Sequence, residues 1–201
     1  MNKNIIVIGA SAGGLSALKH LVSKLPAATN AAMFVVLHIP AWRSSDLPQI
    51  LSANGPLPAA HAEHNEPIAP GRIYVAPPDR HMLLEDHRVC LWKGPKENLF
   101  RPAINPLFRS AAIAHGAGVV GVILSGQMDD GSAGLWLIKR SGGVAIVQDP
   151  NDAEWPEMPE NALNYIKPDY VATVYKIGDL ISELAKPNGT SESSLHRRIP
   201  Q

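Results

Sequence analysis

Short apolar runs alternate along the chain with longer segments in which apolar residues recur at helical spacing. The first run, 4–9, is continuous in Ile and Val, as is typical of a strand buried on both faces of a parallel sheet. The runs predict strands at 4–9, 33–37, 119–124, 144–147 and 170–174. The helical spacing predicts helices at 13–25, 44–53, 104–115, 132–141, 159–166 and 177–186. This alternation indicates an α/β fold, a doubly wound, mostly parallel sheet in a three-layer αβα arrangement.

The region 54–100 departs from this alternation, because it is rich in Pro and Gly and its apolar runs are short. Two of those runs, 81–84 and 89–92, flank the polar residues 85–88, which predicts an antiparallel hairpin inserted into the α/β pattern. The final segment, 187–201, is polar and has no apolar period. We therefore expect one domain over residues 1–186, followed by a disordered tail at 187–201.

Composition narrows the class of protein. The 201-residue chain is 45% hydrophobic, and its 18 acidic and 18 basic residues leave no positive field to recruit nucleic acid. The single cysteine, Cys90, excludes an internal disulfide and fits a reducing compartment, and its apolar neighbours predict a buried strand position. No run approaches the roughly 20 apolar residues of a membrane span. The apolar part of residues 1–8 is too short for a signal peptide, so we expect a cytoplasmic protein without membrane insertion.

A glycine-rich turn, Gly9–Gly14, follows the first strand and places Ser11 at the carboxyl edge of the sheet, beside a helix N-terminus. Three interpretations fit these residues: a nucleophile, a phosphate or dinucleotide loop, and a tight structural turn. The second strand ends at His38 without the carboxylate that usually holds a ribose, which weakens the dinucleotide interpretation. The Gly-x-Ser-x-Gly spacing also matches the elbow of α/β-hydrolases, but those enzymes place the acid before the histidine along the chain.

Three strand ends carry side chains that suit one reaction. The first strand ends at Ser11, the second at His38, and the strand at 119–124 leads to Asp129 and Asp130. Because the carboxyl ends of parallel strands share one edge, a nucleophile, a base and an orienting acid for acyl transfer can meet there. The spacing of His, Cys and Asp resembles no metal site, so we expect no metal.

Six blocks stand in a fixed order over roughly residues 4–185, and each joins distinctive residues at close spacing. They are Gly9–Gly14, Val35–Pro40, Pro70–Pro77 with His81, Arg101–Ser110, Ile123–Gly131 and Met158–Pro159. In this order they resemble the serine loop, histidine strand, hairpin region, Arg-Pro helix, aspartate loop and Met-Pro pair of a known family. That family is the catalytic domain of the bacterial chemotaxis protein-glutamate methylesterase.

The resemblance implies a Ser-His-Asp triad in which Ser11 is the nucleophile, His38 the base and Asp130 the acid. It implies no organic cofactor. The backbone N–H of Ala12, at the start of the following helix, is the candidate oxyanion donor. Since these residues carry chemistry and not core, we expect Asp130→Asn to lower turnover greatly with little change in melting temperature.

The aspartate loop both identifies the acid and departs from the family pattern. Asp130 is chosen over Asp129 because the family's aspartate directly precedes a glycine, here Gly131. Gln127 and Met128 stand where the family typically has Met-Gly. A glycine takes a positive φ at little cost and Met128 does not, so we expect a loop of altered shape.

The resemblance implies hydrolysis of glutamate γ-methyl esters on chemoreceptor-type signalling proteins, together with deamidation of glutamine. The alternative is a non-catalytic or altered-specificity relative that binds a receptor or signalling partner through the same cleft, and a nucleotide-binding domain is a third hypothesis. Because the catalytic pattern begins at residue 4, we expect a stand-alone domain without a phospho-receiver domain. Such a domain is ungated, controlled by a separate regulatory protein, or at work in another pathway.

Overall fold

The structure is a computed structural model that describes residues 4–186. Its strands are β1 (Ile5–Ala10), β2 (Ala32–Leu37), β3 (Ala59–His61), β4 (Arg72–Val75), β5 (His81–Glu85), β6 (Arg88–Trp92), β7 (Val119–Ile123), β8 (Val144–Gln148) and β9 (Tyr170–Ala172). Its α-helices are α1 (Gly14–Ser23), α2 (Leu47–Asn54), α3 (Ile104–His115), α4 (Ser132–Arg140), α5 (Glu157–Tyr165) and α6 (Val174–Leu184). The tail predicted at 187–201 lies outside the described residues.

Seven strands form one sheet in the order β3-β4-β2-β1-β7-β8-β9, and each neighbouring pair is parallel. β1 lies between β2 and β7, with Ile5 opposite Ala32 on one side and Val119 on the other. The strand order reverses at β1, since the chain first builds outward through β2 and then returns to add β7. At such a reversal the loops leave a crevice at the carboxyl edge, where open α/β sheets bind their ligands.

Helices cover both faces of the sheet, which confirms the predicted doubly wound α/β fold. Ile5 and Val7 of β1 belong to a core with α3, α4 and α5, whereas Ile6 and Ile8 belong to a core with α1, α2 and α6. Burying one large apolar side chain stabilises a fold by about 1.5–3 kcal/mol. Residues 5–8 are continuously apolar because their successive side chains enter two cores.

The predicted hairpin is present, and it lies outside the main sheet as an antiparallel pair of β5 and β6. Asp86 and His87 form its turn with φ values of 45° and 61°. The hairpin joins α3 through Leu84 N–H, which donates to Ser110 Oγ at 3.0 Å. Cys90 lies on β6 as predicted, but its side chain is only partly buried, because the hairpin packs one face on the domain and leaves the other less covered.

Two further features bear on the predictions. β3 was not predicted, because a three-residue strand at the edge of a sheet carries too short a pattern to detect. Among the helices within residues 4–186, none has the length and apolar character that a membrane crossing requires.

Candidate active site

Three loops at the carboxyl edge of the sheet bring Ser11, His38 and Asp130 together. Ser11 follows β1, His38 follows β2, and Asp130 lies between β7 and α4. Backbone hydrogen bonds join the loops, since Ser11 N–H donates to the Ser125 carbonyl at 3.0 Å and His38 N–H donates to the Ala10 carbonyl at 3.1 Å. Because β1 lies between β2 and β7, it fixes the relative positions of the three loops that carry these side chains.

The three side chains form one hydrogen-bonded chain. His38 Nδ1 lies 3.1 Å from Ser11 Oγ, and His38 Nε2 lies 2.8 Å from Asp130 Oδ2. The side chains of His38 and Asp130 are 2% and 0% exposed. Because a carboxylate only accepts hydrogen bonds, we assign the ring proton to Nε2, which leaves Nδ1 to accept from the serine hydroxyl. This is the arrangement of a general base set against a hydroxyl nucleophile.

The N-terminus of α3 holds Asp130 in place. Ile104 N–H donates to Asp130 Oδ2 at 2.6 Å, and Asn105 N–H donates to Oδ1 at 3.1 Å. Both groups belong to the first turn of α3, whose N–H groups have no partner inside the helix and favour a negative charge. Gly131 has a φ of 97°, and a Cβ there would lie 2.8 Å from Ile104 Cγ2. The two donors could not be found from the sequence, since a backbone N–H leaves no mark in residue type.

The loop after β7 gives the two neighbouring aspartates different surroundings. Asp130 is buried against His38, whereas Asp129 is exposed and its Oδ1 accepts a hydrogen bond from Asn98 Nδ2 at 3.0 Å. Met128 has a φ of 67°, and its carbonyl accepts from Asn161 Nδ2 at 2.8 Å. Met128 thus adopts the left-handed conformation that the sequence analysis considered costly for it.

Ser125, buried at the end of β7, ties the serine loop to the loop before α5. Its Oγ donates to the Ala12 carbonyl at 2.8 Å and accepts from Trp155 N–H at 2.9 Å. The N–H of Ala12 has no acceptor among residues 4–186. An unpaired N–H directly after a candidate nucleophile is available to a negative charge that would develop on a carbonyl oxygen under attack.

A cleft of about 290 Å³ opens beside His38, between residues 38–42 and 96–101. Two large apolar side chains on its walls, Trp42 and Leu99, are 85% and 71% exposed. A third, Phe100, stacks on the His38 ring. Apolar side chains exposed beside reacting groups suit a protein as the bound molecule. None of the three was predicted from the sequence, because the segments that carry them have no regular apolar pattern.

Comparison with known proteins identifies the family of the chain. The family model described as CheB methylesterase matches residues 6–181. A Leptospira interrogans protein provisionally named protein-glutamate methylesterase/protein-glutamine glutaminase is 38% identical over 189 residues, which are 94% of this chain and 98% of that protein. The protein-glutamate methylesterase/protein-glutamine glutaminase of Photorhabdus laumondii is 34% identical over 180 residues, which are 88% of this chain and 51% of that protein. The crystal structure of the Thermotoga maritima CheB methylesterase catalytic domain has a TM-score of 0.85 and 32% identity, covering 92% of this chain and 100% of that one.

Proposed function

Because the chain belongs to the CheB methylesterase family of carboxylic-ester hydrolases, we propose that it hydrolyses glutamate γ-methyl esters on chemoreceptor-type signalling proteins. The observation that supports this most directly is the unbroken contact from Ser11 through His38 to Asp130. A relative that only binds a partner has no need of a nucleophile, a base and a buried acid at these hydrogen-bonding distances.

In the proposed reaction, Ser11 Oγ attacks the ester carbonyl while His38 Nδ1 accepts the hydroxyl proton. A base placed in this way accelerates a reaction typically by about 10²–10⁴-fold. Asp130 stabilises the imidazolium that forms, and the hydrogen bond to Nε2 keeps the ring in the required tautomer.

The tetrahedral intermediate places a negative charge on the former carbonyl oxygen. The Ala12 N–H is the proposed donor to that oxygen, supported by its lack of a partner among residues 4–186. When the intermediate collapses, the bond to the methoxy oxygen breaks and His38 gives its proton to that oxygen, which leaves as methanol. A water molecule, activated by the same imidazole, then cleaves the acyl-enzyme and restores Ser11.

Deamidation of glutamine is the second proposed reaction of the same site. The names of the Leptospira and Photorhabdus relatives include protein-glutamine glutaminase. The chemistry differs only in the leaving group, since His38 protonates the amide nitrogen as its bond to carbon breaks, and ammonia leaves in place of methanol. Both products leave the same glutamyl acyl-enzyme, so one triad suffices for both substrates.

A methylated chemoreceptor or related signalling protein is the proposed partner. The apolar walls of the cleft beside His38, which carry Trp42 and Leu99, support a protein surface as the bound molecule. Control by a separate regulatory protein and a cytoplasmic location remain predictions of the sequence.

Methanol release from carboxyl-methylated receptor membranes tests the proposal. We expect release by the wild-type protein and none by Ser11→Ala, with the fold of the variant checked by circular dichroism. Methanol release that persists in Ser11→Ala would contradict the assignment of the nucleophile. A folded wild-type protein that releases none would contradict the proposed substrate and favour the binding alternative.

A further inference from the structure

The side chain of Phe100 covers one face of the His38 imidazole. The two ring centroids lie 3.7 Å apart and the ring planes differ by 8°, so the contact is a parallel stack. The hydrogen bonds to Ser11 and Asp130 use the two ring nitrogens, whose N–H and lone pair are directed along the plane of the ring. Phe100 therefore restrains motion of the ring out of its own plane, which the two hydrogen bonds leave free.

The turn that carries Phe100 has an unusual backbone. Asn98 and Leu99 have φ values of 47° and 72°. On either side of them, Glu97 and Phe100 exchange backbone hydrogen bonds of 3.2 and 2.9 Å. Asparagine tolerates the left-handed region, but a leucine there is a genuine outlier. Such strain persists only where surrounding contacts over-determine the backbone, and it concentrates at functional sites.

Side-chain hydrogen bonds on both sides hold this turn in place. Asn98 Nδ2 donates to Asp129 Oδ1 at 3.0 Å, and Asn98 Oδ1 accepts from Asn105 Nδ2 at 3.2 Å. The Glu97 carboxylate accepts two hydrogen bonds from the Arg109 guanidinium, each of 2.8 Å. The turn is thus fastened to the aspartate loop and to α3, the two elements that also hold the acid of the triad.

We propose that Phe100 is a positioning residue that sets the tilt of the His38 imidazole between nucleophile and acid, an inference that rests on the proposed function. Two in-plane hydrogen bonds only weakly resist rotation about the line through Nδ1 and Nε2, and a flat ring against one face removes that freedom. The stack also keeps water from that face. In addition, the electron-rich face of the phenyl ring attracts the imidazolium that forms when Ser11 loses its proton.

Labelling of Ser11 by an alkyl fluorophosphonate measures this effect without any knowledge of the natural substrate. Ser11 Oγ forms a bond to phosphorus, fluoride leaves with the electron pair of the phosphorus–fluorine bond, and His38 takes the hydroxyl proton. We expect Phe100→Ala to lower the second-order labelling rate roughly tenfold or more. Phe100→Tyr, which keeps the flat ring, should react at nearly the wild-type rate, and Phe100→Leu should fall between them.

Hydrolysis of p-nitrophenyl acetate provides a second readout. For Phe100→Ala we expect kcat to fall while KM stays the same, because the substitution disturbs the base and not the binding of a small ester. The control for loss of an aromatic side chain is Tyr165→Ala, an exposed position on α5 away from the triad. Thermal unfolding of each variant establishes that the comparison is made between folded proteins, and Phe100→Leu keeps the test available should Phe100→Ala not fold.

The outcomes separate the two hypotheses. Wild-type-like labelling of Phe100→Ala or Phe100→Leu would overturn the positioning role alone, since it would show that a flat stacked ring is unnecessary. A failure of Phe100→Tyr to restore the rate would overturn it as well. A wild-type protein that is not labelled at Ser11 would overturn the proposed function, and with it the inference that depends on it.

Discussion

Replacing Asp130 by asparagine tests the acid of the triad and its support at the same time. The two oxygens of Asp130 accept three hydrogen bonds: Oδ2 from His38 Nε2–H and Ile104 N–H, and Oδ1 from Asn105 N–H. An asparagine has one oxygen and one NH₂ group. Whichever way it turns, the NH₂ group therefore faces a donor.

The distances decide between the two orientations. With the amide oxygen in the place of Oδ2, the contacts of 2.8 and 2.6 Å survive and only the contact of 3.1 Å to Asn105 is lost. The opposite orientation loses both shorter contacts and forces His38 into the wrong tautomer. We therefore expect the NH₂ group to face Asn105, so that the tautomer of His38 is retained.

The expected loss of activity follows from that orientation. A wrong tautomer costs about 10⁴-fold in kcat in a triad of this kind. Loss of the negative charge alone replaces a charge-assisted hydrogen bond by one about half as strong, which is a loss of roughly 1–1.5 kcal/mol at the imidazolium and a fall of roughly tenfold. We expect the smaller fall, measured as kcat for p-nitrophenyl acetate.

The same substitution is expected to destabilise the protein. A buried N–H of Asn105 left without its acceptor costs about 1–3 kcal/mol, and loss of the charge at the N-terminus of α3 adds about 0.3–1 kcal/mol. This revises the expectation from the sequence that the melting temperature would hardly change. Urea unfolding followed by circular dichroism measures the loss.

Asp86→Asn is the matched control, because Asp86 lies in the exposed turn of the hairpin and asparagine suits its φ of 45°. For Asp130→Asn, an unchanged free energy of unfolding would refute the support by α3. An unchanged kcat would refute the role of the acid. A fall of about 10⁴-fold or more would refute the argument on orientation, since it would mean that the NH₂ group faces His38.

Three further predictions concern single side chains. Met128→Gly should stabilise the protein by up to about 1 kcal/mol in urea unfolding, because it relieves a φ of 67° at a non-glycine residue, and a loss of stability would contradict this. Hydrogen bonds from Lys93 and then Arg101 lower the pKa of the Asp79 carboxyl from 3.8 to about 2. The wild-type protein should therefore melt at a higher temperature than Asp79→Asn above about pH 4, and the difference should disappear as the pH falls towards 2. Burial, and secondarily the charge of Glu85, raises the pKa of the Cys90 thiol, so iodoacetamide should modify it more slowly than free cysteine at pH 8, and an equal rate would contradict that environment.

The fold, and the meeting of Ser11, His38 and Asp130 at one edge of the sheet, could be predicted from the sequence because each lies in a pattern of its own. The apolar run of β1 predicts a central strand, and the ends of parallel strands share one edge, so Ser11 and His38 could be placed together before any distance was known. The choice of Asp130 over Asp129 needed the family resemblance, because two adjacent aspartates have the same chemistry. The structure separates them by burial and by contact with His38.

The support of the triad could not be predicted, because it comes from tertiary contacts between segments without a periodic pattern. Ile104 and Asn105 act through backbone N–H groups, which every residue except proline possesses. Phe100 reaches His38 from a turn that is distant in the chain, and a hydrogen bond from Asn98 to Asp129 ties that turn to the aspartate loop. Such contacts leave no mark in composition or spacing.

Left-handed residues other than glycine mark both loops that enclose His38 and Asp130. Met128 lies in the aspartate loop and Leu99 in the turn that carries Phe100, and the hydrogen bond from Asn98 to Asp129 joins the two loops. A left-handed L-residue costs roughly 1–2 kcal/mol, and contacts with neighbouring helices offset part of that cost. The Met128 carbonyl accepts from Asn161 of α5, and Glu97 pairs with Arg109 of α3. Because the hydrogen bond from Asn98 to Asp129 serves both loops at once, each loop also helps to hold the other in its strained conformation beside the imidazole.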